Sequence, residues 1–293
     1  MLLLTGATGL IGSAVLRRLT AGGELVRCLV RDPRRLGAER VRVQLAIGDL
    51  SDPASWRHAL RGVRTVVHLA ATERDQPRAT IEEIDGLAAA RLLRAAEREG
   101  ADRFVWISPL GAAPHHGSRL HRAKALAAQA VAASGMHTTT LASSLVYAPG
   151  DRRLLRLERL ALLPAVPLLG GGGARTQPIW ADDVAACIIR VLEAGDAAGA
   201  RYELAGPEVL THRDVTRIAL RAADRRRRLL PVPLTVARPL LRAHEALAGP
   251  TAFATWDEAQ LVTVPMLASD GTADAEKLGV QPRRMADVLG AVY

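Results

Sequence analysis

Lys124 stands in the segment SRLHRAK, residues 118–124. A lysine ammonium is a compact point charge that hydrogen-bonds hydroxyls and, beside a weak acid, lowers that acid's pKa. A tyrosine four residues before a lysine, one helical turn away, makes a proton-transfer pair on that basis. Here the position four before Lys124 is Leu120. Leucine neither gives nor takes a proton, and general acid–base help contributes roughly 10²–10⁴ in rate. Ser108, closing the apolar run DRFVWIS, supplies a hydroxyl. His121 adjoins Leu120 but lies about 100° around the helix from it. His115 and His116 sit in the preceding loop, and histidine has a pKa suited to proton transfer, so these are the substitutes the sequence offers. Of 39 basic residues only Lys124 and Lys277 are lysines, which hints that arginine would not serve at 124.

A second constellation opens the chain. TGATGLIG, residues 5–12, places Gly6, Gly9 and Gly12 between a strand pattern and a helix pattern. Gly6 permits the tight turn, Gly9 lets backbone approach a pyrophosphate at the helix N-terminus, and Gly12 lets helix and sheet pack closely. Thr8, Leu10 and Ile11 belong to the same phosphate-facing turn. The next strand ends LVRDPRR. An acid there would hold the ribose 2′-hydroxyl of NAD(H); Arg31, assisted by Arg34, suits the 2′-phosphate of NADP(H). Asp32, one residue late, keeps NAD(H) open. Asp49 and Leu50 close the third strand near the adenine, and Ala70 and Ala71 close the fourth with small side chains where a cofactor lies against backbone. His68 reads as a strand-end histidine without a catalytic role. The paired acids Asp182 and Asp183 read as a helix start, with capping and dipole pairing.

These residues need a scaffold. Strand patterns at MLLLT, LVRCLV, VRVQLAI, RTVVHLAA, DRFVWIS and HTTTLASSLVY alternate with helix patterns through residue 147. Near-continuous apolar strands separated by helices predict an α/β fold: a doubly wound parallel Rossmann sheet covered on both faces. Residues 1–150 form this dinucleotide-binding domain, with 174–195 returning to it. Residues 151–173 and 196–293 form a smaller interleaved C-terminal α/β lobe over the substrate cleft. Residues 152–163 form a basic amphipathic helix, read as a lid or wall of the cleft, with a membrane surface as the competing reading.

The formal charge of +9 comes from dispersed arginines, so nucleic acid is not the expected partner. The two cysteines, Cys28 and Cys187, fit buried thiols of a reducing cytoplasm. No metal site is expected.

The glycine motif, the acid after strand three, HLAA, Ser108, Lys124 and PIWADDVA resemble, in order and over nearly the whole chain, the extended short-chain dehydrogenase/reductase family. Arg31 and the tail TWDEAQLVTVPMLASDGTADAEKLGV look like its atypical branches, the NmrA-like proteins and the complex I accessory subunit. The resemblance implies NAD(P)(H) binding, Ser108 and Lys124 at the catalytic positions, Lys124 also binding the nicotinamide ribose of the cofactor, and Leu120 in place of the tyrosine. It implies either an oxidoreductase or epimerase-like enzyme with nonstandard proton transfer on a small molecule, or a sensor or assembly factor without turnover, as a monomer or homodimer. The family's Arg-Pro before SLVYGPG is here Ala142-Ser143, with Ala148 for glycine, a second departure in the reactive half.

Overall fold

The computed structural model describes residues 1–195 and 199–291. Seven parallel strands form the central sheet. From one edge they run Ala200–Leu204, His137–Ser143, Arg103–Pro109, Thr65–His68, Leu2–Thr5, Val26–Val30 and Gln44–Ile47. The strand order reverses between Leu2–Thr5 and Thr65–His68, and in doubly wound sheets ligands bind at the carboxyl ends beside such a reversal.

Both faces are covered. On one, helices Leu10–Ala21 and Ala181–Ala194 bury Val15, Leu16 and Leu19 with Val184, Ile188 and Val191. On the other, Trp56 and Leu60 pack with Leu92 and Leu93 of helix Ala89–Arg98 and Val131 of helix Arg119–Ala132.

Three segments depart from the pattern of apolar residues. VRVQLAI holds strand only at Gln44–Ile47, because Pro33–Arg42, capped by the Asp32 carboxylate, runs as a kinked 3-10 helix. The helix Ala89–Arg98 is preceded by a π-turn, Glu82–Ala88. The strand Ala200–Leu204 joins the large sheet beside His137–Ser143, and Ala275 and Val280 pack into the same core, so the return to the Rossmann domain extends past residue 195.

The lobe is built from short strand pairs and helices. Ala165–Leu169 pairs with Arg228–Val232, and Arg175–Thr176 with Leu210–Thr211. Leu154, Val215 and Leu289 close around Tyr147. Capping boxes form at Thr211 and Thr255. The paired acids cap nothing: Trp180 is the N-cap without a side-chain bond. Asp182 instead pairs with Arg18 at 2.6 Å, and Asp183 accepts the Arg283 backbone N–H at 2.9 Å.

Candidate active site

The glycine turn has the shape a dinucleotide needs. Gly6 has φ +73°, and a Cβ there would lie 2.5 Å from the Ala70 nitrogen, so the loop after the fourth strand leaves room only for hydrogen. A Cβ on Gly12 would fall 2.0 Å from the Gly6 carbonyl oxygen. Gly9 is the N-cap of helix Leu10–Ala21, and no side chain caps that end. The first N–H groups of a helix have no intrahelical partner, and here no side chain takes their place. Thr8 and Ile11 are half-buried while Gly9 and Leu10 are exposed, which leaves the turn open to a ligand. These features fit a pyrophosphate, which would supply the negative charge such a helix end attracts.

The other cofactor positions ring the same sheet edge. Arg31 and Arg34 are exposed and join no ion pair among the described residues. One Asp32 oxygen already accepts the Arg34 backbone N–H at 3.0 Å. Asp49 holds its own loop, one oxygen accepting from the Ser51 N–H and hydroxyl at 3.0 and 2.8 Å. Leu50 and Ala70 are half-buried and Ala71 is exposed.

The reactive half is organised by a pair of charges, one of which sequence reading missed. Lys124 is 2% exposed and Asp85 is fully buried; the ammonium and one carboxylate oxygen are 3.2 Å apart. Lys124 also donates to the Ile107 carbonyl at 3.2 Å and stands 5.5 Å from the Trp106 ring centre. The second Asp85 oxygen accepts the Thr72 N–H at 2.9 Å. Burial pushes the Asp85 carboxyl up, against the opposing pull of Lys124 and the Thr72 N–H. The π-turn sets this geometry, because it carries Asp85 outside the simple i, i+4 register. Gly86 assists: a Cβ there would meet the Ala123 carbonyl and Leu126 at 3.2 Å, so the two helices approach closely. The available signal was an acid before a glycine in an otherwise Ala/Leu/Arg helix.

Around this pair the candidate proton carriers are occupied or sequestered. Leu120 is half-buried at the tyrosine position. Ser108 is buried on strand Arg103–Pro109, next to the carbonyl that receives Lys124. His121 is buried and stacks on His116 with ring centres 4.2 Å apart. Burial, and then the neighbouring His116, push it down to about 4, with the Leu110 backbone acting in the opposite direction. His68 shares a 2.8 Å hydrogen bond with Thr5, and burial reinforced by Lys124 pushes it down to about 3. His115 is exposed in the preceding loop.

The lobe is fastened over this end of the sheet. Arg74 grips Glu258 through two nitrogens at 2.9 and 2.6 Å, and Arg156 reaches the same carboxylate at 2.8 Å. Burial would raise Glu258, yet the two guanidinium groups hold it below the ordinary carboxylate range. Arg119 bridges Asp75, Glu82 and Asp257, and Arg153 pairs with Glu73. The helix Arg152–Leu160 is thus bound through Arg153 and Arg156 to the loop after the fourth strand and to helix Trp256–Leu261. Ala142 now has a packing reason: fully buried, it meets Leu110, Val264 and Met266, where a long side chain would not fit. Ser144 donates to the Met266 carbonyl at 2.7 Å and Gln177 accepts from the Ala268 N–H at 2.9 Å, which pins the tail across the strand end.

Comparison with known proteins agrees with this geometry. The chain is 27% identical to the NADH dehydrogenase [ubiquinone] 1 alpha subcomplex subunit 9 of Arabidopsis thaliana over 96% of its own length and 74% of that protein's. It is 30% identical to the NAD(P)H azoreductase of Xenophilus azovorans, covering 81% of this chain and 79% of the other. The Escherichia coli NADPH-dependent quinone oxidoreductase QOR2, solved with NADPH, shares the fold with a TM-score of 0.75 at 19% identity, covering 100% and 99% of the two chains. Residues 6–194, which hold the glycine cradle, Lys124 and Asp85, match the NAD(P)H-binding family, and the chain belongs to it.

Proposed function

We propose that this chain is an NADP(H)-preferring protein of the atypical extended short-chain dehydrogenase type that holds its dinucleotide without a protein residue to move a substrate proton. The buried Asp85–Lys124 pair beside Leu120 carries this reading. A lysine lowers a neighbour's pKa through its uncompensated charge. With Asp85 at 3.2 Å that charge has a buried partner, and the side chain is directed into the protein. Lys124 therefore positions and Leu120 fills. Arg31 and Arg34, free of acidic partners among the described residues, supply the preference for a 2′-phosphate, and Asp32 is engaged in capping. Such a protein reads the nicotinamide pool by binding, as a redox sensor or assembly factor does.

The likeness to an azoreductase favours a second reading, an oxidoreductase. Here the bound dinucleotide would supply hydride to a small-molecule acceptor that draws its proton from water, with Ser108 orienting it.

Calorimetric titration with NADPH and NADH, beside assays of NADPH oxidation over carbonyl, quinone and azo acceptors, separates these. The expected result is tighter NADPH than NADH, reversal by Arg31→Asp, and no carbonyl turnover by the wild type or by Leu120→Tyr, whose new phenol would meet a compensated lysine. Robust carbonyl turnover by the wild type overturns the first reading; turnover of quinone or azo acceptors alone establishes the second. Equal wild-type affinities sink the argument from Arg31.

A further inference from the structure

The helix Leu234–Ala248 is 15 residues long and buries a single side chain, Ala237. Val236, Leu240, Ala243 and Leu247 recur at i, i+4, i+7 and i+11, so they form one stripe. That stripe faces outward: Val236 is 48% exposed, Leu240 63% and Leu247 90%. The opposite side docks to the body. Glu245 accepts the Trp256 backbone N–H, His244 accepts the Phe253 N–H at 3.0 Å, and Arg238 stands over the Trp256 ring at 5.6 Å. Single exposed leucines need no explanation, but an aligned apolar row on an outward helix face marks a contact surface.

Charge identifies the contact. Residues 225–248 contain six arginines and one acid, Glu245, which is engaged with Trp256. None of the six forms an ion pair among the described residues, and Arg242 flanks the apolar stripe. An apolar stripe with Arg242 beside it, on a helix whose one acid is already engaged, matches the boundary between acyl chains and anionic headgroups. The helix is about 22 Å long, shorter than the roughly 30 Å hydrocarbon layer, so it suits lying in the interface. No helix among the described residues is long and apolar enough to cross a membrane.

We propose that this face of the lobe rests on the surface of an anionic bilayer, with Val236, Leu240 and Leu247 entering the headgroup boundary. The basic helix Arg152–Leu160, the membrane candidate in the sequence, is instead tied to Glu73 and Glu258 by Arg153 and Arg156.

Co-sedimentation of the full chain with vesicles tests this. The protein should pellet with phosphatidylcholine vesicles doped with phosphatidylglycerol and stay in solution with pure phosphatidylcholine. Leu240→Ser/Leu247→Ser should abolish pelleting. Arg242→Gln should weaken it roughly fivefold, at about 1 kcal/mol for a basic residue at the surface. Both variants change exposed residues and should keep wild-type NADPH affinity and melting temperature. Failure of the wild type to bind anionic vesicles overturns the proposal, as does equal binding to both vesicles. A wild-type dimer that Leu240→Ser/Leu247→Ser dissociates in analytical ultracentrifugation would assign the stripe to a second copy instead.

Discussion

The glycine turn and the surroundings of Lys124 are built on opposite plans. At the glycine turn the protein withholds itself: side chains are absent, helix N–H groups lack side-chain partners, and Arg31 and Arg34 carry charge that no described acid answers. At Lys124 charge answers charge inside the protein: the ammonium has Asp85 and a carbonyl, and the loop after the fourth strand is bound to the lobe by ion pairs, although His68 Nε2 and both His121 ring nitrogens stay buried without a hydrogen-bond partner among the described residues. Open helix N–H groups and exposed, unanswered cations point to a ligand, whereas buried charges paired with each other point to a fixed scaffold. The first end is made to receive a cofactor, and the second to hold its shape.

The largest effect should come from closing the open end. Gly12→Ala puts a methyl group 2.0 Å from the Gly6 carbonyl, backbone against backbone, where no side chain can yield. NADPH affinity by calorimetry should fall about 100-fold or more, with about 1–3 kcal/mol lost in urea unfolding as the helix is pushed from the sheet. Near-normal binding by Gly12→Ala would break the comparison at its stronger side.

The Lys124 end should fail differently, through stability. Asp85→Asn leaves Lys124 buried without its counter-charge, which costs about 3–5 kcal/mol when one partner of a buried pair is removed. Asp85→Asn/Lys124→Met removes both charges and should recover much of that loss in urea unfolding. A cost for Asp85→Asn under about 1 kcal/mol would mean that the pair is solvated and Lys124 free to activate an acid.

How far the sequence carried these features follows from the range of the interactions. The glycine cradle was legible because a strand, a turn and a helix within residues 2–21 make it, and glycine spacing records backbone approach directly. The parallel sheet was legible because its buried strands are continuous apolar runs. Asp85 was not, since its role depends on a π-turn and on a helix 39 positions later, and neither leaves a periodic trace. The strand Ala200–Leu204 followed a change of pattern that placed it in the lobe, although its partner, His137–Ser143, lies more than fifty residues earlier. Ala142 was legible as a departure from the family pattern and became intelligible only with Met266 and Val264 against it.

The smallest predicted effect bears on whether a histidine can replace the missing tyrosine. Burial holds His68 down to about 3, and His121 and His212 down to about 4, the last two also under the influence of His116 and Arg153 respectively. In the unfolded chain all three titrate near 6.5. Between about pH 6.5 and 4 the unfolded chain therefore binds protons that the folded one refuses, so stability is full above that window and falls as pH drops through it. Below it, Glu82 and Glu258, whose folded carboxyls are held low by arginines, add a further acid loss. His121→Phe keeps a ring against His116 and removes one of the three proton sites, so its urea midpoint should fall less steeply than the wild type's between about pH 6.5 and 5. An unchanged slope would mean that folded His121 already titrates in the ordinary range. The stacked pair would then open to solvent, and His121 would return as the acid that Leu120 cannot be.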